Sequence, residues 1–154
     1  KGLTMQMTDH FTLHEFEAST EAEKRGIDNS VPLNLIPKLQ WGCETILEPI
    51  REMAGAPLAI GPRHSGYRCP ELNTAVGGAK DSQHTRAEAA DLTPEGLDHR
   101  ALFESIARSD IPFDQLILEP SWIHVSWVCT GEPRKQCLVA HPGEAIPYSP
   151  YVPR

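Results

Sequence analysis

Apolar residues recur at three- and four-residue steps from Leu33 to Met53, through Leu35, Leu39, Cys43, Ile46, Leu47 and Ile50, which predicts the main core helix. Pro49 falls late in this stripe and removes one backbone donor, so a kink or an early end is expected there. Upstream, Thr12 with Glu15 and Thr20 with Glu23 both have the spacing of a helix N-terminus, and Gly26 is a stop. Residues 1–30 therefore read as a helical lead-in packed through Phe11, Leu13 and Phe16. Leu58-Ala59-Ile60 reads as a short buried strand, and Ala89-Ala90-Asp91-Leu92 as another. Between them, Gly61 to Ser82 is rich in Gly, Pro and polar residues, with one short helix at Glu71 to Ala75; so long a stretch is more often a functional loop than filler. A second amphipathic helix is expected from Leu97 to Arg108, with Leu102, Phe103 and Ile106 facing inward. Phe113 to Leu118 and Trp122 to Trp127 form two strands joined at Glu119-Pro120-Ser121, an antiparallel hairpin. Five prolines follow Cys129, so residues 129–154 read as an extended tail on the surface and a poor core element. The sum is a single α+β domain over residues 1–154, with a small antiparallel sheet packed against helices.

Length and charge narrow the function classes. A chain of 154 residues can bury a real core without a metal or disulfides for size alone. A net charge of −7 and a pI near 5.4 leave no basic stripe for phosphates, so nucleic acid is not an expected partner. No apolar run approaches the ~20 residues of a spanning helix, so membrane insertion is not expected either. The N-terminus has no apolar run flanked by basic residues, and synthesis in the cytoplasm without a signal peptide is the expectation. Cys43, Cys69, Cys129 and Cys137 form no Cys-x-x-Cys pair and read as ordinary thiols; a bridge between Cys129 and Cys137 is the alternative.

The candidate chemistry lies in Ser82-Gln83-His84-Thr85-Arg86-Ala87-Glu88-Ala89-Ala90-Asp91. On a straight helix His84 and Asp91 would be roughly 10 Å apart along the axis, too far to share one metal ion. If they meet at a metal the chain must turn, with His84 on a loop and Asp91 on the following strand. The best third ligand is His124, which shares a strand face with Trp122 and Ser126 while Ile123, Val125 and Trp127 point the other way. Two imidazoles and one carboxylate match a catalytic zinc site that keeps one position open. Against this, a lone histidine is more often filler than ligand, and Asp91 after two alanines also suits a helix cap. His10, His14, His64, His99 and His141 have no such constellation.

Many ordered stretches carry a family resemblance. They are His10 to Leu13 with Glu15-Phe16, Gly26 to Asn29, Leu47 to Arg51, Ser65 to Arg68, and Leu72-Asn73 with Ala75 to Gly78. The set continues with Ser82 to His84, Asp91, Phe113 to Ile117, and Trp122 to Ser126. Together they resemble the zinc D-alanyl-D-alanine carboxypeptidase and L-alanyl-D-glutamate endopeptidase family of cell-wall peptidases, which includes phage endolysins and shares its fold with the hedgehog signalling domain. The family pattern S-x-H-x-x-G-x-A-x-D is met by Ser82, His84, Ala89 and Asp91, with Ala87 in place of the Gly. If that position needs a positive φ, Ala costs on the order of 1 kcal/mol.

A monomer is the expectation; the resemblance implies one zinc ion held by His84, Asp91 and His124, and hydrolysis of a peptidoglycan stem peptide. It makes Glu119, just before the Trp-His motif, the catalytic general base, with Asp114 as runner-up or as support for a ligand. It makes Arg68 the substrate-binding cation, where a surface salt bridge is the plain alternative. Ser82 either bonds the substrate or turns the loop toward His84. A phage or prophage lysis enzyme, released to the wall by another factor, fits the expected lack of a signal. A zinc-containing binding module of the same fold is the competing reading.

Overall fold

The stripe that begins at Leu33 becomes one continuous helical rod in the computed structural model, which describes residues 5–61, 63 and 65–154. Residues 1–4 of the lead-in, and His64, lie outside the described residues. A 3-10 turn at Leu33–Leu35 leads into α3 (Ile36–Gly42), a π turn at Cys43–Leu47 follows, and α4 (Glu48–Ala54) completes the rod. Pro49 neither ends nor breaks it. In the π turn the Glu48 N–H reaches back five residues to the Cys43 carbonyl, so Pro49 enters at the first turn of a fresh α segment, where its missing donor is no loss. Leu39, Cys43, Ile46, Leu47 and Ile50 are fully buried, and beyond them the stripe continues to Ala54 while Met53 turns outward.

The lead-in holds two helices, α1 (Leu13–Glu17) and α2 (Thr20–Arg25). At the first, the Glu15 carboxylate accepts from both the Thr12 N–H and its hydroxyl. At the second the cap is Ser19 rather than Thr20: extended Ser19 accepts the Ala22 N–H at 3.1 Å, which places Thr20 inside the helix. The remaining helices are α5 (Pro70–Ala75) and α6 (His99–Ala107), the latter capped by the Asp98 carboxylate.

The α+β architecture and the mainly antiparallel sheet expected from the sequence are present, and the sheet extends further than the hairpin alone implies. It has six strands, β1 (Leu58–Ala59), β2 (Ala89–Pro94), β3 (Gln115–Leu118), β4 (Ile123–Ser126), β5 (Gln136–Ala140) and β6 (Tyr148–Pro150), in the order β1-β2-β4-β3-β5-β6. The expected hairpin pairs β3 with β4, Leu118 opposite Ile123. All pairs are antiparallel except β3 with β5. That pair is parallel because β4 ends and β5 begins at the same end of β3, so the link needs no crossover helix.

β5 and β6 come from the proline-rich tail, which therefore completes the sheet instead of merely coating it. Pro150 fits because β6 is the edge strand, where an N–H is not needed on the open side. Tyr151 then packs edge-on against Phe103 of α6, ring centroids 5.0 Å apart, and Cys137 is buried beneath. All four cysteines are free thiols. No helix among the described residues is long and apolar enough to cross a membrane.

The rod and sheet meet at Trp127. Its indole N–H donates to the Lys38 carbonyl, and its ring lies on Gly42. A Cβ at Gly42 would sit 2.6 Å from the Trp127 Nε1 and closer still to two ring carbons. Gly42→Ala is accordingly expected to destabilise the domain by about 2 kcal/mol through overpacking, measured as a lower urea midpoint.

Candidate metal centre

Asp91 and His124 are direct cross-strand partners in the β2–β4 pair. Their neighbours Ala90, Leu92, Ile123 and Val125 are fully buried on the opposite face, which turns these two polar side chains to the same side. His124 Nδ1 lies 3.0 Å from Asp91 Oδ1.

His84 arrives from the 3-10 turn Gln83–Arg86. Ser82 starts that turn, its hydroxyl accepting the His84 N–H, and Ala87 ends it in the left-handed region at φ 57°, ψ 37°. The substituted position thus does need a positive φ, at a strain on the order of 1 kcal/mol that burial of the Ala87 methyl helps to offset. The His84 ring is fixed at its other nitrogen: Nδ1–H donates to the Gly66 carbonyl at 2.7 Å, leaving the Nε2 lone pair to face the strands. Gly66 can take up this position only without a side chain, since a Cβ there would lie 2.5 Å from the Phe16 Cα and 2.6 Å from its carbonyl oxygen.

His84 Nε2 is 3.3 Å from His124 Nδ1 and 3.4 Å from Asp91 Oδ1. Ligands at ~2.0–2.1 Å from a tetrahedral zinc ion stand about 3.3 Å apart, so the three atoms already have the spacing of one face of such a site. Their charge state suits a cation as well. Burial lowers the His84 imidazole pKa below its ordinary value, against the pull of the Asp91 carboxylate. Burial also pushes the Asp91 carboxyl up, but His84 and His124 outweigh it and hold Asp91 well below the ordinary carboxylate range. The three residues form a group able to hold a metal ion.

A cleft of about 450 Å³ opens over these atoms and is also lined by Arg68, Ser82, Glu119, Trp122, Arg134 and Tyr148. Glu119 sits at the end of β3, its N–H bonded to the Trp122 carbonyl and its own carbonyl accepting from His99 Nε2. Burial and the nearby Asp91 charge raise the Glu119 carboxyl, opposed in part by His124. Arg68 makes no ion pair among the described residues. Its Nη2 donates to the Ser82 hydroxyl at 3.3 Å, and its Nε is buried without a partner. Asp114 is elsewhere: it is buried, does not line this cleft, and spends both carboxylate oxygens on Arg134.

Four residues of the site area went unmarked in the sequence. Asn29 brackets Arg68, its amide donating to the Tyr67 and Glu17 carbonyls while its oxygen accepts the Cys69 N–H. It lies in a stretch that carries the family resemblance, but as a residue without obvious chemistry. Gln83 ties the His84 turn to β4 through the Trp127 carbonyl. Arg134 and Tyr148 come from the tail, where no local pattern distinguished them.

A family model described as Peptidase M15 matches residues 9–126. A comparison with curated proteins finds no match.

Two outcomes are expected from this geometry. Gly66→Ala should displace the carbonyl that orients His84 and weaken metal affinity about 10- to 100-fold, read by chelator competition. The second concerns acid stability. Burial raises the Asp114 carboxyl, yet the Arg134 hydrogen bonds and charge outweigh it and leave it below its ordinary value. A lowered folded-state pKa stabilises above the unfolded value of about 3.9, and that contribution is lost as pH falls through the folded value. Urea midpoints near neutrality and at about pH 3 should therefore differ more in the wild type than in Asp114→Asn.

Proposed function

We propose, starting from the fact that the chain belongs to the Peptidase M15 family, that it is a zinc peptidase hydrolysing peptidoglycan stem peptides. The family is zinc-dependent, and His84, Asp91 and His124 are the residues that would hold the ion. Bound there, zinc supplies a Lewis acid that lowers the pKa of water toward ~7 and offsets oxyanion charge. The observation that carries the reading is the convergence of the three ligand atoms within 3.4 Å of one another on a cleft that also contains Glu119.

The chain's own groups divide the remaining work. Glu119 takes a proton from the attacking water at its carboxylate and later delivers one to the leaving amine nitrogen. A partly desolvated carboxyl with a raised pKa suits both halves of that exchange. Arg68 holds a substrate carboxylate; its desolvated guanidinium, with Nε unpaired, favours such an anion. Ser82 orients Arg68 and the His84 turn together. Gly66, through its carbonyl, keeps His84 in the tautomer that presents Nε2.

The bond cut is either the terminal D-Ala-D-Ala linkage or L-Ala-D-Glu, and the setting is phage or prophage lysis by a monomeric enzyme acting on the wall after release. The sequence resemblance to a family that includes phage endolysins supports that setting. The test is metal content measured alongside mass analysis of digested peptidoglycan. One zinc per chain with loss of single alanines identifies a carboxypeptidase; release of whole stem peptides identifies an endopeptidase. Glu119→Gln should lower the rate about 10²- to 10⁴-fold with metal content unchanged. Zinc retained by a wild type that hydrolyses nothing would make the domain a binding module instead.

A further inference from the structure

The turn that carries His84 touches two arginines. Ser82 accepts from Arg68 Nη2, and the adjacent Gln83 accepts from Arg134 Nη2 at 3.3 Å. Arg134 lies beyond residues 9–126, in the link from β4 to β5, yet it lines the cleft together with the ligands and Glu119.

Arg134 is held unusually firmly for a residue in a connection. Its backbone N–H donates to Asp114 Oδ1 at 2.8 Å, and its Nε and Nη2 donate to Asp114 Oδ2 at 3.0 and 2.7 Å. Asp114 is itself anchored in the sheet, its N–H on the Ser126 carbonyl and its carbonyl accepting the Gln136 N–H. One edge of the guanidinium is thus fixed, while Nη1 makes no hydrogen bond among the described residues and the side chain remains 53% exposed. Nη1 is the free donor of a guanidinium held at Nε and Nη2 on the rim of the cleft, and it can donate to an anion there.

We infer that Arg134 is a specificity-determining residue that binds a second substrate carboxylate, distinct from the one held by Arg68, and that Asp114 is its positioning residue. The inference rests on the peptidase reading and deepens it: the substrate is a peptide bearing two carboxylates near the scissile bond, one terminal and one on a side chain. The two arginines flank a single turn, so each carboxylate has its own cation.

The test uses the full-length, zinc-loaded protein and three matched peptides: both carboxylates free, the terminal one amidated, or the side-chain one amidated. Arg134→Gln should raise KM about 10- to 100-fold for peptides carrying one of the two carboxylates, leave kcat unchanged, and abolish discrimination against the peptide in which that group is amidated. Arg68→Gln should lose discrimination for the other carboxylate. Arg134→Lys, which keeps the charge and loses the fork, should fall between. Equal loss on all three peptides with a lowered unfolding midpoint would assign Arg134 a purely structural role and overturn the inference, as would both arginines reading the same carboxylate. If the wild type cleaves none of the peptides, calorimetric binding of the same panel decides. Carboxylate-dependent binding that Arg134→Gln selectively removes sustains the subsite while the peptidase reading falls; wild-type binding indifferent to amidation overturns the subsite.

Discussion

The site depends on one pairing, Asp91 opposite His124 across β2 and β4. Directly opposed residues in antiparallel strands have Cβ atoms about 4.5–5.5 Å apart, so two candidate ligands meet without any loop having to find its place. The register that brings them together is defended by the other face. Ala90 against Val125, and Leu92 against Ile123, are fully buried, and a slip of one residue would drive the carboxylate into the core and the aliphatic side chains into water. The cost of unpaired buried charge, together with lost apolar burial, makes that slip prohibitive.

His84 is placed by less regular means. Its turn ends in a strained Ala87, its ring leans on the Gly66 carbonyl, and Gly66 lies hard against the backbone of α1. The lead-in helix, far from the ligands in sequence, thereby fixes the orientation of one of them. Asn29 extends the same dependence to Arg68, through bonds to the residues on either side of it. Two short helices that bury only Phe16 and Ala22 thus act chiefly as scaffolding for the loop from Ser65 to Arg68.

Elements whose signal is local were legible in the sequence. The β3–β4 hairpin, α5, α6 and the apolar stripe of the long rod all follow from periodicity and turn residues. The hidden features are those in which a tertiary partner decides. Pro49 signals a break, but a π turn one step earlier absorbs it. The tail prolines argue against strands, yet an edge position tolerates Pro150. At the site, spacing alone required a turn between His84 and Asp91, and the structure supplies it at Ala87. Arg134 stayed invisible because its significance comes from Asp114 and Gln83, distant in sequence, and no spacing rule joins them.

The three residues able to hold a metal ion stand on two supports of different stiffness. Asp91 and His124 belong to the middle of a six-stranded sheet, whereas His84 rides on a single turn tied down by a few hydrogen bonds. An ion shared among them is therefore also a rivet between layers, adding its binding free energy to whatever else keeps that turn closed. If an ion is held there, its removal would release the turn while the sheet keeps its pairing, and the backbone around Gln83 to Arg86 is where amide exchange and proteolytic nicking would first register the change.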